Sequence, residues 1–138
     1  MQIDSFYPVF ITDRVDEASA FYVEKFDFQV TFSADWYVSL RRPGPPAAEI
    51  AFVDSTHPTV PEAYRRTVTG LLINIEVDDV DAQWQRLVVD GGLTPVLDIR
   101  SEDFGQRHFI VPDPAGVLVD IITEIPPAPA FAEAFSGQ

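Results

Sequence analysis

The 138-residue chain has 46% hydrophobic residues and a formal net charge of −13, with nine Lys and Arg among 22 Asp and Glu. This balance provides no basic surface, which disfavours nucleic-acid binding and attachment to an anionic membrane. The chain contains no cysteine, no signal-peptide pattern at its start and no apolar run of about 18 residues, so we expect a cytoplasmic protein without disulfides or membrane spans.

Residues 1–54 predict the order strand, helix, strand, strand, strand. Ser5–Thr12 is the first predicted strand, and Pro8 places it at an edge or a bulge because proline cannot donate to a ladder. Val15–Phe26 predicts a helix, since its apolar residues recur on one helical face, and Asp13 can cap it. The remaining strands are expected at Gln29–Ser33, Trp36–Arg41 and Ala48–Val53.

Residues 55–70 predict a connecting segment, because they contain two prolines and a terminal glycine and show little periodicity. Within this connection, Glu62–Arg66 can form one helical turn.

Residues 71–124 repeat the element order of residues 1–54. Leu71–Val77 predicts a strand, Asp78 or Asp79 can cap the next helix, and Gly91-Gly92 ends that helix. The closing strands are expected at Pro95–Arg100, Gln106–Val111 and Val117–Ile122. The sequence therefore predicts two βαβββ modules and then a tail over residues 125–138, with a helical stretch at Ala130–Phe135.

The run Gly105–Thr123 contains the most informative pattern of the chain. Asp113-Pro114-Ala115-Gly116 supplies turn residues between the last two predicted strands. Asp120 lies among apolar neighbours, where a carboxylate costs free energy unless it is solvated, paired or bound to a cation.

This run resembles the last hairpin of the glyoxalase/bleomycin-resistance/extradiol-dioxygenase superfamily, also called vicinal oxygen chelate proteins. In that family the turn reads DPxG, and a carboxylate four residues after its glycine is the last metal ligand, as Asp120 is four residues after Gly116. Together with the repeated module, the resemblance covers Ile3–Thr123. It implies an α+β fold in which two βαβββ modules place curved mixed sheets around a cleft.

The resemblance also implies four metal-ligand positions, because catalytic members of the family hold a divalent metal with four side chains, two from each half. Carried over residue by residue, these positions fall on Tyr7, Glu49, Leu72 and Asp120. Leu72 has no donor atom, and neither His57 nor His108 falls on the pattern. We therefore expect no metal site of the family type.

Structural explanations stay open for both carboxylates of this set. If the last turn spans Asp113 to Gly116, Phe109 lies opposite Asp120 and Arg107 is a diagonal neighbour on the same face, near enough for an ion pair. Glu49 can simply face solvent.

Two classes of function follow from the resemblance. The favoured class, implied by the bleomycin-resistance branch, is a metal-free homodimer that binds and sequesters a small aromatic or cationic molecule. The alternative is a lyase, isomerase or dioxygenase with a reduced ligand set and a divalent metal such as Zn, Ni, Fe or Mn. Because flat ligands stack on aromatic rings near a few polar groups, the predicted ligand-binding residues are Tyr7, Trp36, Tyr37, Glu49, Phe52, Phe104, His108 and Asp120.

Overall fold

A computed structural model describes residues 1–135. Within them the strands are β1 (Val9–Thr12), β2 (Gln29–Ala34), β3 (Tyr37–Arg42), β4 (Ala48–Asp54), β5 (Leu72–Glu76), β6 (Leu97–Glu102), β7 (Gln106–Pro112) and β8 (Leu118–Glu124). Helix α1 (Val15–Phe26) follows β1 and helix α2 (Val80–Trp84) follows β5. Short 3-10 helices occur at Glu62–Tyr64 and Pro129–Ala134. No helix of the described residues is long and apolar enough to cross a membrane.

The chain divides into two compact units. The first comprises Met1–Gly70 with the turn Asp113–Gly116, and the second comprises Leu71–Pro112 with the residues from Val117 onward. Each unit contains one four-stranded mixed sheet, with strand orders β1-β4-β3-β2 and β5-β8-β7-β6. In both sheets the first strand runs parallel to the last, and the remaining neighbours are antiparallel. The predicted α+β fold of two βαβββ modules is confirmed.

The core of the first unit lies between α1 and one face of its sheet. The Tyr22 ring of α1 is 5.7 Å from Phe52 of β4, which is 5.2 Å from Phe10 of β1. Phe52 has no exposed surface. Burying a large side chain of this kind stabilises the fold by roughly 1.5–3 kcal/mol.

The second unit has an equivalent core between α2 and its sheet. Trp84 of α2 meets Phe109 of β7 edge-on at 5.2 Å. Asp79 caps α2 by accepting the Ala82 N–H at 3.1 Å, and the helix continues as a π-helical stretch to Asp90. Gly92, at φ +74°, lies just beyond and provides the left-handed backbone that commonly ends a helix. In each unit, "far face" denotes the sheet face turned away from the helix.

The first strand is an edge strand, as Pro8 predicts, but it begins later than predicted, and the predicted cap of α1 is wrong. Strand β1 begins at Val9, after Pro8, whose carbonyl accepts the Ala51 N–H at 3.1 Å. Asp13 does not cap α1, because the N-cap position is Arg14, one residue later, and no side chain caps the helix there.

The C-terminal helical stretch differs in form from the prediction at Ala130–Phe135. It is a 3-10 helix over Pro129–Ala134, with proline in its first turn, where a missing N–H costs nothing. Residues 136–138 of the predicted tail lie outside the described residues.

Candidate functional site

Four charged side chains on the far face of the second sheet form a continuous hydrogen-bonded chain. His108 of β7 places Nδ1 2.8 Å from Asp120 Oδ1 and Nε2 2.8 Å from Glu102 Oε2. Arg100 Nε donates to the same Glu102 oxygen at 2.8 Å. We call this set, Arg100, Glu102, His108 and Asp120, the ionic chain.

The register of the last hairpin brings His108 and Asp120 together. Pro112 pairs with Leu118, so Ile110 lies opposite Asp120 and His108 is its diagonal neighbour on the same face. The connection between the paired positions is therefore one residue longer than the Asp113–Gly116 turn. A register difference of one residue moves every side chain to the other face.

The predicted alternative of an Arg107–Asp120 ion pair is wrong for this reason. Arg107 lies opposite Thr123, on the face that packs against α2. Its guanidinium donates to Asp81 of that helix at 3.0 Å.

The middle of the ionic chain is buried and electrostatically coupled. Asp120 is 7% exposed and His108 is 5% exposed. Burial raises the pKa of Asp120, although the hydrogen bond from His108 acts in the opposite direction. Burial also acts to lower the pKa of His108, but the bonds to Glu102 and Asp120 outweigh it, so this pKa is raised. These contacts favour an imidazolium that donates from both nitrogens.

Two further features surround the ionic chain. The pKa of Glu102 is lowered, mainly by the hydrogen bond from His108 and next by the one from Arg100. Phe104, in the turn between β6 and β7, places its ring centroid 6.4 Å from that of His108 in an edge-on arrangement. The structure therefore brings together three predicted site residues, Phe104, His108 and Asp120.

Sequence reasoning missed Glu102 and Arg100. A usable signal was present in the spacing. Arg100 and Glu102 are two residues apart around the end of one predicted strand, and Gln106 and His108 are two residues apart at the start of the next. Residues at alternate positions share a face in a strand.

The far face of the first sheet is aromatic. Tyr37 of β3 lies 6.0 Å, centroid to centroid, from Phe32 of β2, which is 52% exposed. Burial is the main cause that raises the pKa of Tyr37. Tyr7 is near enough to Tyr37 to contribute to the raised pKa of its phenol. The structure thus groups Tyr7 and Tyr37 with Phe32, which the sequence did not single out.

Trp36 lies beside this aromatic surface and lines a shallow pocket. Its indole stacks on the His57 imidazole with ring centroids 3.8 Å apart and an interplanar angle of 11°. The pocket has a volume of about 300 Å³. Its lining residues are Asp35, Trp36, Asp54, Thr56, His57 and Pro58.

Two other predicted site residues have structural partners. Glu49 of β4 lies opposite Arg41 of β3, and its carboxylate is 3.8 Å from the Arg41 Nε. Phe52 is fully buried on the helix side of the first sheet. This corrects the expectation that Phe52 lines a ligand site, because its ring has no surface to offer.

The residues at the family's metal positions do not form a suitable donor set. Leu72 is 53% exposed but has no lone pair, and the Asp120 carboxylate is hydrogen-bonded to His108. Tyr7 offers a phenol, and a tyrosine binds metal well only as the phenolate. Among residues 1–135, no group of three or more His, Asp or Glu side chains has a geometry that could hold a metal ion.

The chain resembles known proteins in sequence and in fold. The family model for the Glyoxalase/Bleomycin resistance protein/Dioxygenase superfamily matches residues 5–121. No curated protein sequence matches the chain.

Several solved structures share the fold at low sequence identity. A glyoxalase/bleomycin resistance protein/dioxygenase from Nocardioides is 14% identical with a TM-score of 0.69, covering 91% of this chain and 86% of that one. Lactoylglutathione lyase from Agrobacterium tumefaciens is 16% identical with a TM-score of 0.69, covering 99% and 100%. A family enzyme from Burkholderia phytofirmans is 20% identical with a TM-score of 0.66, covering 86% and 97%.

Proposed function

Because the chain belongs to the glyoxalase/bleomycin resistance protein/dioxygenase superfamily, we propose that it binds a small aromatic cation without the help of a metal. The observation that carries this proposal is the hydrogen bond between His108 and Asp120. Asp120 stands at the position of the family's last metal ligand, and in this structure its carboxylate binds His108 of the same chain.

The side chains at the family's ligand positions are poor donors for a metal. A divalent ion at Asp120 would have to displace a buried imidazole that is also bonded to Glu102. Leu72 could not compensate for that loss, since an isobutyl group cannot coordinate a metal. A metal-dependent lyase or dioxygenase therefore fits these residues less well than a binding protein does.

The far face of the first sheet suits an aromatic ligand. Exposed aromatic rings provide contact area at a low cost in conformational entropy, and Tyr37 adds a phenol that can orient a ligand. The formal net charge of −13 favours a cation over an anion, because the field of the whole protein concentrates positive ligands near its surface.

A ligand screen in EDTA tests the proposal. We expect aromatic cations to quench tryptophan fluorescence and raise the melting temperature more than neutral aromatic molecules of the same shape. Tyr37→Ala should weaken the best ligand about tenfold, which corresponds to about 1.4 kcal/mol for one lost aromatic contact. Tyr64→Ala is the matched control, since Tyr64 is an exposed tyrosine in the connecting segment.

One result would contradict the proposal and restore the enzyme alternative. Stoichiometric Zn, Ni, Fe or Mn that survives dialysis in wild-type protein, and is lost in Asp120→Asn, would show that Asp120 is a metal ligand.

The homodimer expected from the family resemblance is a separate proposal. It is checked by sedimentation at micromolar concentration, where a mass near the chain's own 15.4 kDa would count against it.

A further inference from the structure

The segment from Ile125 to Ala134, which we call the strap, folds back onto the turn between β6 and β7. The Ile125 N–H donates to the Gly105 carbonyl at 2.9 Å, and the Ala128 N–H donates to the Asp103 carbonyl at 2.8 Å. The 3-10 helix Pro129–Ala134 follows directly. Two backbone hydrogen bonds therefore hold the strap against the turn.

Gly105 makes this close approach possible. It is buried and adopts φ +108°, a backbone conformation that L side chains rarely adopt. A Cβ at this position would be 3.0 Å from the Ile125 carbonyl oxygen and 3.3 Å from Pro127 Cβ. The turn and the strap thus approach closely at a point where a side chain would be both strained and crowded.

The same turn carries the outer end of the ionic chain. The Gly105 N–H donates to the Glu102 carbonyl at 3.1 Å, which fixes the backbone between these two residues. The Glu102 carboxylate covers Nε2 of His108, and Phe104 lies against the imidazole ring. Two groups that contact His108 therefore lie at this turn, Glu102 where β6 ends and Phe104 within the turn itself.

We propose that the strap holds Glu102 and Phe104 over His108, and that release of the strap uncovers Nε2. This effect on His108 is a property of the ligand-free protein and does not depend on the proposed function. His108 is in this view a group that the closed strap keeps engaged.

The test measures acylation of the two histidines of the full chain by diethylpyrocarbonate, with peptide mass spectrometry as the readout. Ala128→Pro removes the N–H that binds Asp103 and suits the backbone, because φ at Ala128 is −63°. Ala128→Ser keeps the N–H and is the control. His57, in the first unit, is the internal reference.

We expect Ala128→Pro to raise the acylation rate of His108 about fivefold and to leave His57 unchanged. That factor corresponds to about 1 kcal/mol for one backbone hydrogen bond. Ala128→Ser should leave both rates unchanged. An unchanged His108 rate in Ala128→Pro would overturn the proposal, and so would a parallel rise at both histidines, since that would mean that the strap supports the whole fold.

A double-mutant cycle identifies the route of the effect. Glu102→Ala should raise the His108 rate by itself, because it removes the group that covers Nε2. Adding Ala128→Pro should then produce little further increase, since coupled residues are not additive. Independent, multiplied increases would overturn the proposal, because the strap would then act on His108 without Glu102.

Discussion

The two units share one element order and differ on their far faces. Toward its helix, each sheet buries a phenylalanine with no exposed surface, Phe52 in the first unit and Phe109 in the second. On the far face, the first sheet exposes aromatic rings around Tyr37, whereas the second buries a carboxylate and an imidazole that bond to each other. The repeated module therefore forms the same kind of helix-facing core in both units, whereas the far faces differ.

The reason for this difference is that the two faces obey different constraints. The helix-facing positions must fill a closed volume at high density, so few side chains fit there. The far faces are less uniform. The first exposes rings such as Phe32, and on the second the buried Asp120 needs His108 as its hydrogen-bond partner.

The largest expected effect tests whether the two cores are equivalent. Phe52→Ala and Phe109→Ala should each lower the free energy of unfolding by about 3–5 kcal/mol, because each leaves a cavity among packed rings. Chemical denaturation of both variants checks this. A loss below about 1 kcal/mol in either variant would break the equivalence.

The second-largest effect concerns the ionic chain on the far face of the second sheet. His108→Ala should lower the free energy of unfolding by about 2–4 kcal/mol, because it leaves the Asp120 carboxylate buried without its imidazole partner. The double variant His108→Leu/Asp120→Leu should recover most of this loss, since the uncompensated charge is then gone. A double variant as unstable as the single one would show that the ionic chain contributes through shape and not through charge.

A smaller effect is expected inside the first unit, where α1 holds the turn Asp113–Gly116. Tyr22 Oη donates to Asp113 Oδ2 at 2.7 Å in a buried environment. Tyr22→Phe keeps the ring and removes this charge-assisted bond, so we expect a loss of about 1.5–3 kcal/mol. Phe28→Leu, which leaves the hydrogen bond intact, is a control for ring packing. An unchanged denaturation midpoint for Tyr22→Phe would contradict the prediction.

The pH dependence of stability should also distinguish the second far face. Because the folded-state pKa of His108 is raised, its contribution is fully present below about pH 6.5 and is lost as the pH rises through the folded pKa. We expect the free energy of unfolding to fall across this alkaline window in wild-type protein. Denaturation of His108→Gln over the same range should show a shallower fall, and an identical slope would contradict the assignment.

The smallest effect concerns the ion pair on the first sheet. Arg41 and Glu49 are both substantially exposed at a distance of 3.8 Å, so their attraction is screened by water. Arg41→Ala should change the free energy of unfolding by about 0–1 kcal/mol. A loss comparable to that of His108→Ala would remove the contrast between the two far faces.

Element order and type were accessible from the sequence because they depend on local chemistry. The spacing of apolar residues in Val15–Phe26 predicts a helix and the face that it buries. The conformational freedom of glycine predicts the helix end at Gly91-Gly92. The DPxG turn and the carboxylate four residues later, supported by the repeated element order, indicated the family. Apart from the repeat, each of these signals lies within a few residues along the chain.

The site depended on facts that no local pattern contains. One additional residue in the connection between β7 and β8 placed His108, and not Arg107, beside Asp120. Local pattern could not show that Phe52 packs between Phe10 and Tyr22, because those contacts join distant parts of the chain. The sequence by itself determined which elements form. Only the tertiary structure decided which side chains meet, because strand register and packing set the faces on which they lie.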